Sequence, residues 1–334
     1  MNDINPVFKP VTIDLQRLCN GDMSRDLKLE AMHWEKDDKF IEIGHYDVNV
    51  TPTTLTMAGH SFVLKHPRGE NRPVGHITVG NALVVRDHTF QNYVDGGLEI
   101  SMIAAVDFTG SNGDPDTPDT PKSRSLHYYS AGPTAYQVAI NAVAKVLAPY
   151  DSDGKIELYG FGGVPKGAGV SHCFPLNGNE RDPKVDGVDG MNEAYVKALK
   201  SCSLAGPTNC APVITKATAS AKAAGAHVGG PLSYGILLLL TDGEIDDMSA
   251  TVEAIKAAAS VPLSIVVCGI GSENFAKARA LNNVTGASRD IVQFVRMEDF
   301  GAGAASRLAA KVLEKLPDQV ETYFKKAGIA PGKK

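Results

Sequence analysis

Leu98-Glu-Ile-Ser-Met-Ile-Ala-Ala-Val106-Asp107-Phe-Thr109-Gly-Ser111 is the stretch on which the fold turns. A short, mostly apolar run passes directly into one carboxylate and two hydroxyls at alternate positions. Such a run, bounded by turn-forming residues, reads as a strand covered on both faces, as in a parallel sheet. The polar residues then fall at its carboxyl end.

The same grammar recurs on the C-terminal side. Apolar strand candidates at 156–161, 235–241, 261–268 and 290–295 alternate with segments of helical period, first Tyr136, Ile140, Val143 and Leu147, then Met191, Tyr195, Ala198 and Cys202. Strand and helix alternating in this way imply right-handed crossovers and an α/β fold, a doubly wound, mainly parallel sheet. Residues 112–125, rich in Pro, Asp and Ser, read as a surface loop beside the first polar cluster.

The N-terminal side is different. Period-two alternation in Val11-Thr-Ile13-Asp-Leu15 and Leu27-Lys-Leu29-Glu-Ala31, with short runs at Phe40-Ile41, Phe62-Val63-Leu64 and Ile77-Thr-Val79, predicts strands and no helix. Turn signals at Asn20-Gly21-Asp22 and Lys65-His66-Pro67-Arg68-Gly69 suit a small antiparallel β-sandwich. The expected organisation is a β unit over 1–87, a linker with a short glycine-closed helix over 88–97, the α/β domain over 98–328 and a tail over 329–334.

Composition narrows the function. Lys and Arg number 33 against 38 Asp and Glu, a formal charge of -5 that argues against a nucleic-acid partner. The longest apolar run, Ile236-Leu-Leu-Leu-Leu240, is far below the roughly 20 residues of a membrane-spanning helix. Met1-Asn-Asp-Ile lacks the basic-then-apolar pattern of a signal peptide, so a cytoplasmic protein is expected. Five cysteines without a CxxC pair fit reduced thiols rather than a disulfide framework or zinc site.

Asp107 and Asp242, the latter in Leu-Thr-Asp-Gly, each follow an apolar strand, so a parallel sheet delivers both to its carboxyl edge, where ligands bind. The spacing of Asp107, Thr109 and Ser111 lets one tight loop turn three oxygens to one side. Thr208, in Gly-Pro-Thr-Asn before a helical run near Ala211, can reach the same point from a neighbouring loop. Three hydroxyls and two carboxylates suit a small, hard divalent cation, Mg2+ or Mn2+, that keeps several waters. Such an ion still seeks an anionic oxygen, which a partner protein presenting an acidic residue can supply.

Other chemistry is less well served. Gly160-Phe-Gly162-Gly163 follows a strand as a dinucleotide loop does, but Val-Pro165-Lys does not open a helix where one is needed. An Asp107 phosphotransfer nucleophile would be expected to have an acid two residues on, where Thr109 stands. His127, His172 and His227 accompany no nucleophile motif, His127 reading as packed in its turn. No catalytic residue is expected, and the protein is read as a non-enzyme.

Val106-Asp-Phe-Thr-Gly-Ser-Asn-Gly-Asp-Pro115, Ser125-Leu-His-Tyr128, Gly160-Phe-Gly162, Gly206-Pro-Thr-Asn209 and Arg289-Asp-Ile-Val-Gln-Phe-Val295 resemble the copine version of the von Willebrand factor A domain, over most of 90–328. The resemblance implies a metal-ion-dependent adhesion site, with Ser111, Thr109 and Thr208 near the ion and Asp107 and Asp242 holding it directly or through water. Thr109 stands where many relatives have serine, and the hydroxyl is kept. The family is regarded as calcium-responsive, phospholipid-binding and intracellular, with an A domain that recruits other proteins. Peripheral association with the plasma membrane and acidic phospholipid as a second partner follow by resemblance only.

By the same resemblance, 1–87 looks like the latter part of a second C2 domain, a partial C2-like unit whose first calcium loop and preceding C2 domain are expected to be missing. Where relatives place calcium-holding aspartates, this chain has His33, Glu35 and Ile41. Ile41 offers no oxygen and His33 is a poor calcium ligand, whereas Ca2+ takes six to eight oxygens. Ca2+ is therefore not expected at this degenerate site, with Asp22, Asp37 and Asp38 as the conceivable substitutes. His33 and Trp34 otherwise read as core on an alternating strand. Calcium-dependent phospholipid binding through this unit is the alternative function.

Overall fold

The computed structural model describes residues 5–35, 39–57, 59–69, 72–85, 87–117, 125–130, 132–225, 231–301 and 305–332. The chain divides into two compact units, Met1–Arg86 and Asp87–Lys334.

In the first unit, strands β1 (Leu29–Trp34), β2 (Phe40–Tyr46), β3 (Ser61–Lys65) and β4 (Pro73–Thr78) form one antiparallel sheet in sequential order. Two short helices, α1 (Leu15–Cys19) and α2 (Pro52–Leu55), correct the all-β expectation. The alternation at Val11–Leu15 is not a strand. Asp14 accepts a hydrogen bond from the Gln16 N–H at 2.6 Å and caps α1, while Val11 and Ile13 stay exposed. Phe62 and Leu64 are buried on β3, as alternation requires. Trp34 is not core: it is 59% exposed, opposite an equally exposed Phe40 at the end of the β1–β2 hairpin, where no described residue covers it.

In the second unit, α3 (Phe90–Asp95) starts from Thr89, whose hydroxyl accepts from the Asn92 N–H while Asn92 reaches back, a capping box. Strand β5 (Glu99–Asp107) follows. Helix α4 (Ala135–Ala139) runs through a π-helical turn (Ile140–Ala144) into α5 (Lys145–Leu147), and β6 (Lys155–Phe161) comes next. Short strands β7 (Gly163–Val164), β8 (Phe174–Pro175) and β9 (Lys184–Asp186) lead to α6 (Gly187–Leu199) and β10 (Ser203–Leu204). The remaining elements are α7 (Ala211–Ala224), β11 (Ser233–Thr241), α8 (Met248–Ala258), β12 (Leu263–Gly269), α9 (Ala276–Ala280), β13 (Val292–Arg296), α10 (Ala305–Leu313) and α11 (Leu316–Ala327).

Five parallel strands in the order β13-β12-β11-β5-β6 form the central sheet, with β8 and β9 pairing antiparallel to β6. Period two sorts the apolar side chains into two cores. On β5, Ile100, Met102, Ala104 and Val106 face α4, α6, α10 and α11, whereas Ile103 and Ala105 face α7, α8 and α9. Leu238 and Leu240 against Leu237 and Leu239 repeat the division on β11. Each of the larger side chains among them taken from water contributes about 1.5–3 kcal/mol, so continuous apolar runs are favoured only where both faces are covered. The fold is thus α/β and doubly wound.

Chain order sets the location of a ligand site. From β5 the chain moves outward to β6, then returns to the other side of β5 as β11 and proceeds to β12 and β13. The direction of winding therefore reverses between β5 and β11. In an open α/β sheet, the crevice beyond such a reversal is where ligands bind. Asp107 ends β5, and Thr241 ends β11, with Asp242 next in the chain.

Candidate metal centre

The two strand ends are bonded to each other directly. Asp107 is fully buried, and its Oδ2 accepts from the Thr241 hydroxyl at 2.7 Å. Its Oδ1 accepts from the Thr109 N–H at 2.9 Å and the Thr109 hydroxyl at 2.6 Å. Thr109 Oγ1 lies 3.0 Å from Ser111 Oγ. The alternate spacing has done what the sequence suggested, gathering three oxygen-bearing side chains in a single turn. Ser111 is the exposed member, and Thr109 is almost wholly buried.

Asp242 is buried beside them and accepts from the Glu244 N–H at 3.3 Å. It therefore acts as a turn residue as well as a candidate ligand. Thr208 comes in on the loop before α7. Its N–H donates to Asp246 Oδ2 at 2.7 Å, and its carbonyl accepts from the Asp246 N–H at 2.8 Å. Asp247 accepts from the N–H groups of Cys210 and Ala211 at 2.9 and 3.0 Å and from the Thr251 hydroxyl at 2.8 Å. The loop after β11 thus holds the Thr208 loop at both ends. The third junction is between the Gly110 N–H and the Ala205 carbonyl, 2.6 Å apart. Thr208 is buried, and among the described residues no hydrogen bond commits its hydroxyl.

Gly162 explains how closely these loops approach. Its φ is +73°, and a Cβ at that position would strike the Thr109 methyl. The Gly160-Phe-Gly162-Gly163 sequence thus makes room for Thr109. It runs through β6 and into β7 rather than opening a helix, so no dinucleotide loop forms.

A second layer supports the cluster from below. Asn112 donates to the Thr109 carbonyl and to Thr109 Oγ1, both at 3.2 Å, and accepts from the Tyr136 hydroxyl at 2.6 Å. His127 is fully buried and stacked on Tyr136, with ring centroids 4.5 Å apart. Burial drives its pKa down to about 3, so the ring is neutral. Its Nε2 faces the Asp107 carbonyl at 3.0 Å and its Nδ1 the Tyr195 hydroxyl at 2.8 Å. The histidine does pack in its turn, as its sequence setting suggested. It also touches the backbone of a candidate ligand, which no local pattern disclosed. His172 is partly buried elsewhere in the unit, and His227 lies outside the described residues.

The electrostatics favour a cation. Burial, and then the charge of Asp242, push the Asp107 carboxyl up to about 7; burial likewise raises Asp242. Burial together with the carboxylates of Asp107, Asp247, Asp242 and Asp246 lifts the Cys210 thiol well above its ordinary range. Among the described residues, no lysine or arginine is ion-paired with any of these four aspartates. Nor do three His, Cys, Asp or Glu side chains converge as a metal cluster, so a cation here relies on hydroxyls as much as on carboxylates. The donor set, all hard oxygen with two anionic members, fits a small, hard divalent cation.

The hairpin that carries His33, Glu35 and Ile41 is built otherwise. His33 stands directly across from Ile41, and the Glu35 N–H closes the hairpin onto the Lys39 carbonyl at 2.8 Å. Asp22 is engaged by the Ser24 N–H and hydroxyl at 2.9 and 2.6 Å. Asp37 and Asp38 lie outside the described residues. The five cysteines are free thiols, with Cys19, Cys210 and Cys268 buried.

Residues 125–332 match the family model described as Copine. The chain is 34% identical over 341 residues to copine-A of Dictyostelium discoideum, an alignment covering 98% of this chain and 56% of that protein. It is 37% identical over 346 residues to protein BONZAI 1 of Arabidopsis thaliana, covering 99% and 58%. It therefore spans a little over half the length of these curated relatives. Looser likenesses join it to the manganese-loaded TRAP protein of Plasmodium vivax, at 13% identity and a TM-score of 0.38 over 60% of this chain and 70% of that one. Proximal thread matrix protein 1 of the mussel byssus, with a zinc-occupied MIDAS motif, gives 15% and 0.38 over 68% and 48%. Both structures are too distant to bear on this chain's site. The family match over 125–332 and the near full-length alignments to copine-A and BONZAI 1 are decisive, and the chain belongs to the copine family.

Proposed function

We propose that this protein is a copine-like adaptor that binds Mg2+ or Mn2+ among Asp107, Thr109, Ser111, Thr208 and Asp242 and through the ion docks an acidic residue of a partner protein. The observation that carries this reading is the pair of buried carboxylates, Asp107 and Asp242, which repel each other at the winding reversal of the sheet and, among the described residues, are ion-paired with no cationic side chain. A divalent ion relieves that repulsion, and the hydroxyls of Thr109, Ser111 and Thr208 complete its shell without neutralising it. The remaining positive charge attracts one further carboxylate, best supplied by another molecule.

A non-catalytic role suits the same geometry. Both oxygens of Asp107 already accept hydrogen bonds, three in all, which leaves it a poor nucleophile. Placement in the cytoplasm, with peripheral attachment to the plasma membrane, accords with the family; among the described residues no helix is long and apolar enough to cross a membrane. Acidic phospholipid remains a proposed second partner.

Calcium-dependent lipid binding through the N-terminal unit has less support, because His33 and Ile41 face each other where ligand oxygens would be needed and Asp22 is committed to Ser24. Capture of binding proteins on immobilised chain tests the main reading. Partners should be retained in Mg2+, released by chelator, and absent from an Asp242→Ala column. Retention that ignores both chelator and mutation would refute ion-bridged docking, and strong calcium-dependent sedimentation with phosphatidylserine vesicles would favour the other reading.

A further inference from the structure

Resting on the ion site proposed above, we infer that His127 is its positioning residue, held as a single neutral tautomer by Tyr195 and Thr134 so that it fixes the peptide from which the ion-binding loop leaves the sheet. The protons can be assigned from the acceptors. The Asp107 carbonyl only accepts, so His127 Nε2 carries the hydrogen across the 3.0 Å contact. In the neutral ring Nδ1 is then bare and accepts from the Tyr195 hydroxyl at 2.8 Å. The Tyr195 oxygen accepts in turn from the Thr134 hydroxyl at 3.0 Å, and Thr134 Oγ1 accepts from the Gln137 N–H at 3.0 Å. Each of His127, Tyr195 and Thr134 donates once along this chain, and moving the histidine proton to Nδ1 or turning the Tyr195 hydroxyl toward Thr134 would leave a buried acceptor facing an acceptor.

The peptide so held is the critical one. Its carbonyl, that of Asp107, is fixed by His127, and its N–H, that of Phe108, donates to the Phe161 carbonyl at 2.8 Å. With both ends bound, the Asp107–Phe108 plane cannot rotate. The direction in which Thr109 and Ser111 present their hydroxyls is set two and four residues further on. The turn carrying His127 is itself attached to that loop, through the Leu126 N–H to the Asn112 carbonyl at 2.8 Å and the Ser125 hydroxyl to the Gly113 carbonyl at 3.2 Å. The chain also joins the site to helix α6, which carries Tyr195, and to the first turn of α4, which Thr134 caps.

Mn2+ titration of the intact chain by calorimetry, with the melting temperature measured separately without metal, tests this. Partners behind a metal ligand commonly set affinity by roughly 10- to 100-fold. His127→Leu should therefore bind Mn2+ about tenfold or more weakly, and His127→Gln, whose amide can donate to the Asp107 carbonyl, should recover most of the affinity. Tyr195→Phe, which removes one hydroxyl and keeps the ring, should weaken Mn2+ as well and carries the test if His127→Leu does not fold. Lower melting temperatures with unchanged Mn2+ affinity in the variants would mean His127 is only packing, and would overturn the inference. Failure of the wild-type chain to bind Mn2+ would overturn the ion site and this inference together, a result distinct from the first.

Discussion

Asp107 and Thr241 sit 134 positions apart in the chain, yet the Thr241 hydroxyl donates to Asp107 Oδ2 at 2.7 Å. The bond joins the carboxyl ends of β5 and β11 across the point where the sheet reverses its winding. It also orders the roles at the site: Thr241 orients a carboxylate, and Asp242, the next residue, lies beside it as a ligand candidate.

Thr241→Val should therefore destabilise the protein by about 1.5–3 kcal/mol, the usual scale for losing a buried hydrogen bond to a carboxylate. Thr241→Ser should be nearly silent. Urea denaturation without metal measures both, and a Val variant as stable as the parent would show that the bond contributes nothing.

Acidity at Asp107 gives a pH dependence whose sign can be worked out. Without an ion, burial and then Asp242 push this carboxyl up to about 7, so the folded chain holds the proton more tightly than the unfolded chain does. The resulting stability is fully present below the ordinary value of 3.8 and is lost as pH rises through 7. A cation takes the proton's place, so Mg2+ should raise the melting temperature more at pH 8 than at pH 6, with proton uptake by buffer detectable at pH 6. Equal increments at the two pH values would contradict the placement of Asp107 in the ion site.

Gly162→Ala should be costly for two reasons at once. The left-handed φ of +73° strains any side chain by roughly 1–3 kcal/mol, and the added methyl would collide with that of Thr109. Ion affinity should fall together with stability, because Thr109 must move. An alanine variant with normal thermal stability would show that the β6 end and the Thr109 loop are not so closely opposed.

Much of this was legible in the sequence, and the reasons are physical. The runs at 98–106 and 235–241 announce themselves because strands covered on both faces carry apolar residues at nearly every position. The Asp107, Thr109, Ser111 grouping is local, so spacing alone brings its oxygens together. Val11–Leu15 misled because alternation over five residues does not distinguish a strand from coil leading into a helix, and only the Asp14 side chain decides between them. Trp34 is exposed because burial depends on what lies across the sheet, which its own strand does not encode. Thr241, Asp246, Asp247 and His127 act on the site through residues distant in the chain, and Asn112, though next to Thr109, is held by the distant Tyr136. The one cue for Thr241 is its place next to Asp242 at the end of the longest apolar run, and for Asp246 and Asp247 their place just before a helix.

The most direct measurement is isothermal titration of the metal-free chain with Mg2+ and Mn2+, alongside Asp107→Ala and Thr208→Ala. The ion site predicts a saturable heat for the wild-type protein that disappears in both variants while their folds persist by circular dichroism. Identical titrations for all three proteins would show that the five residues only hold the loops together.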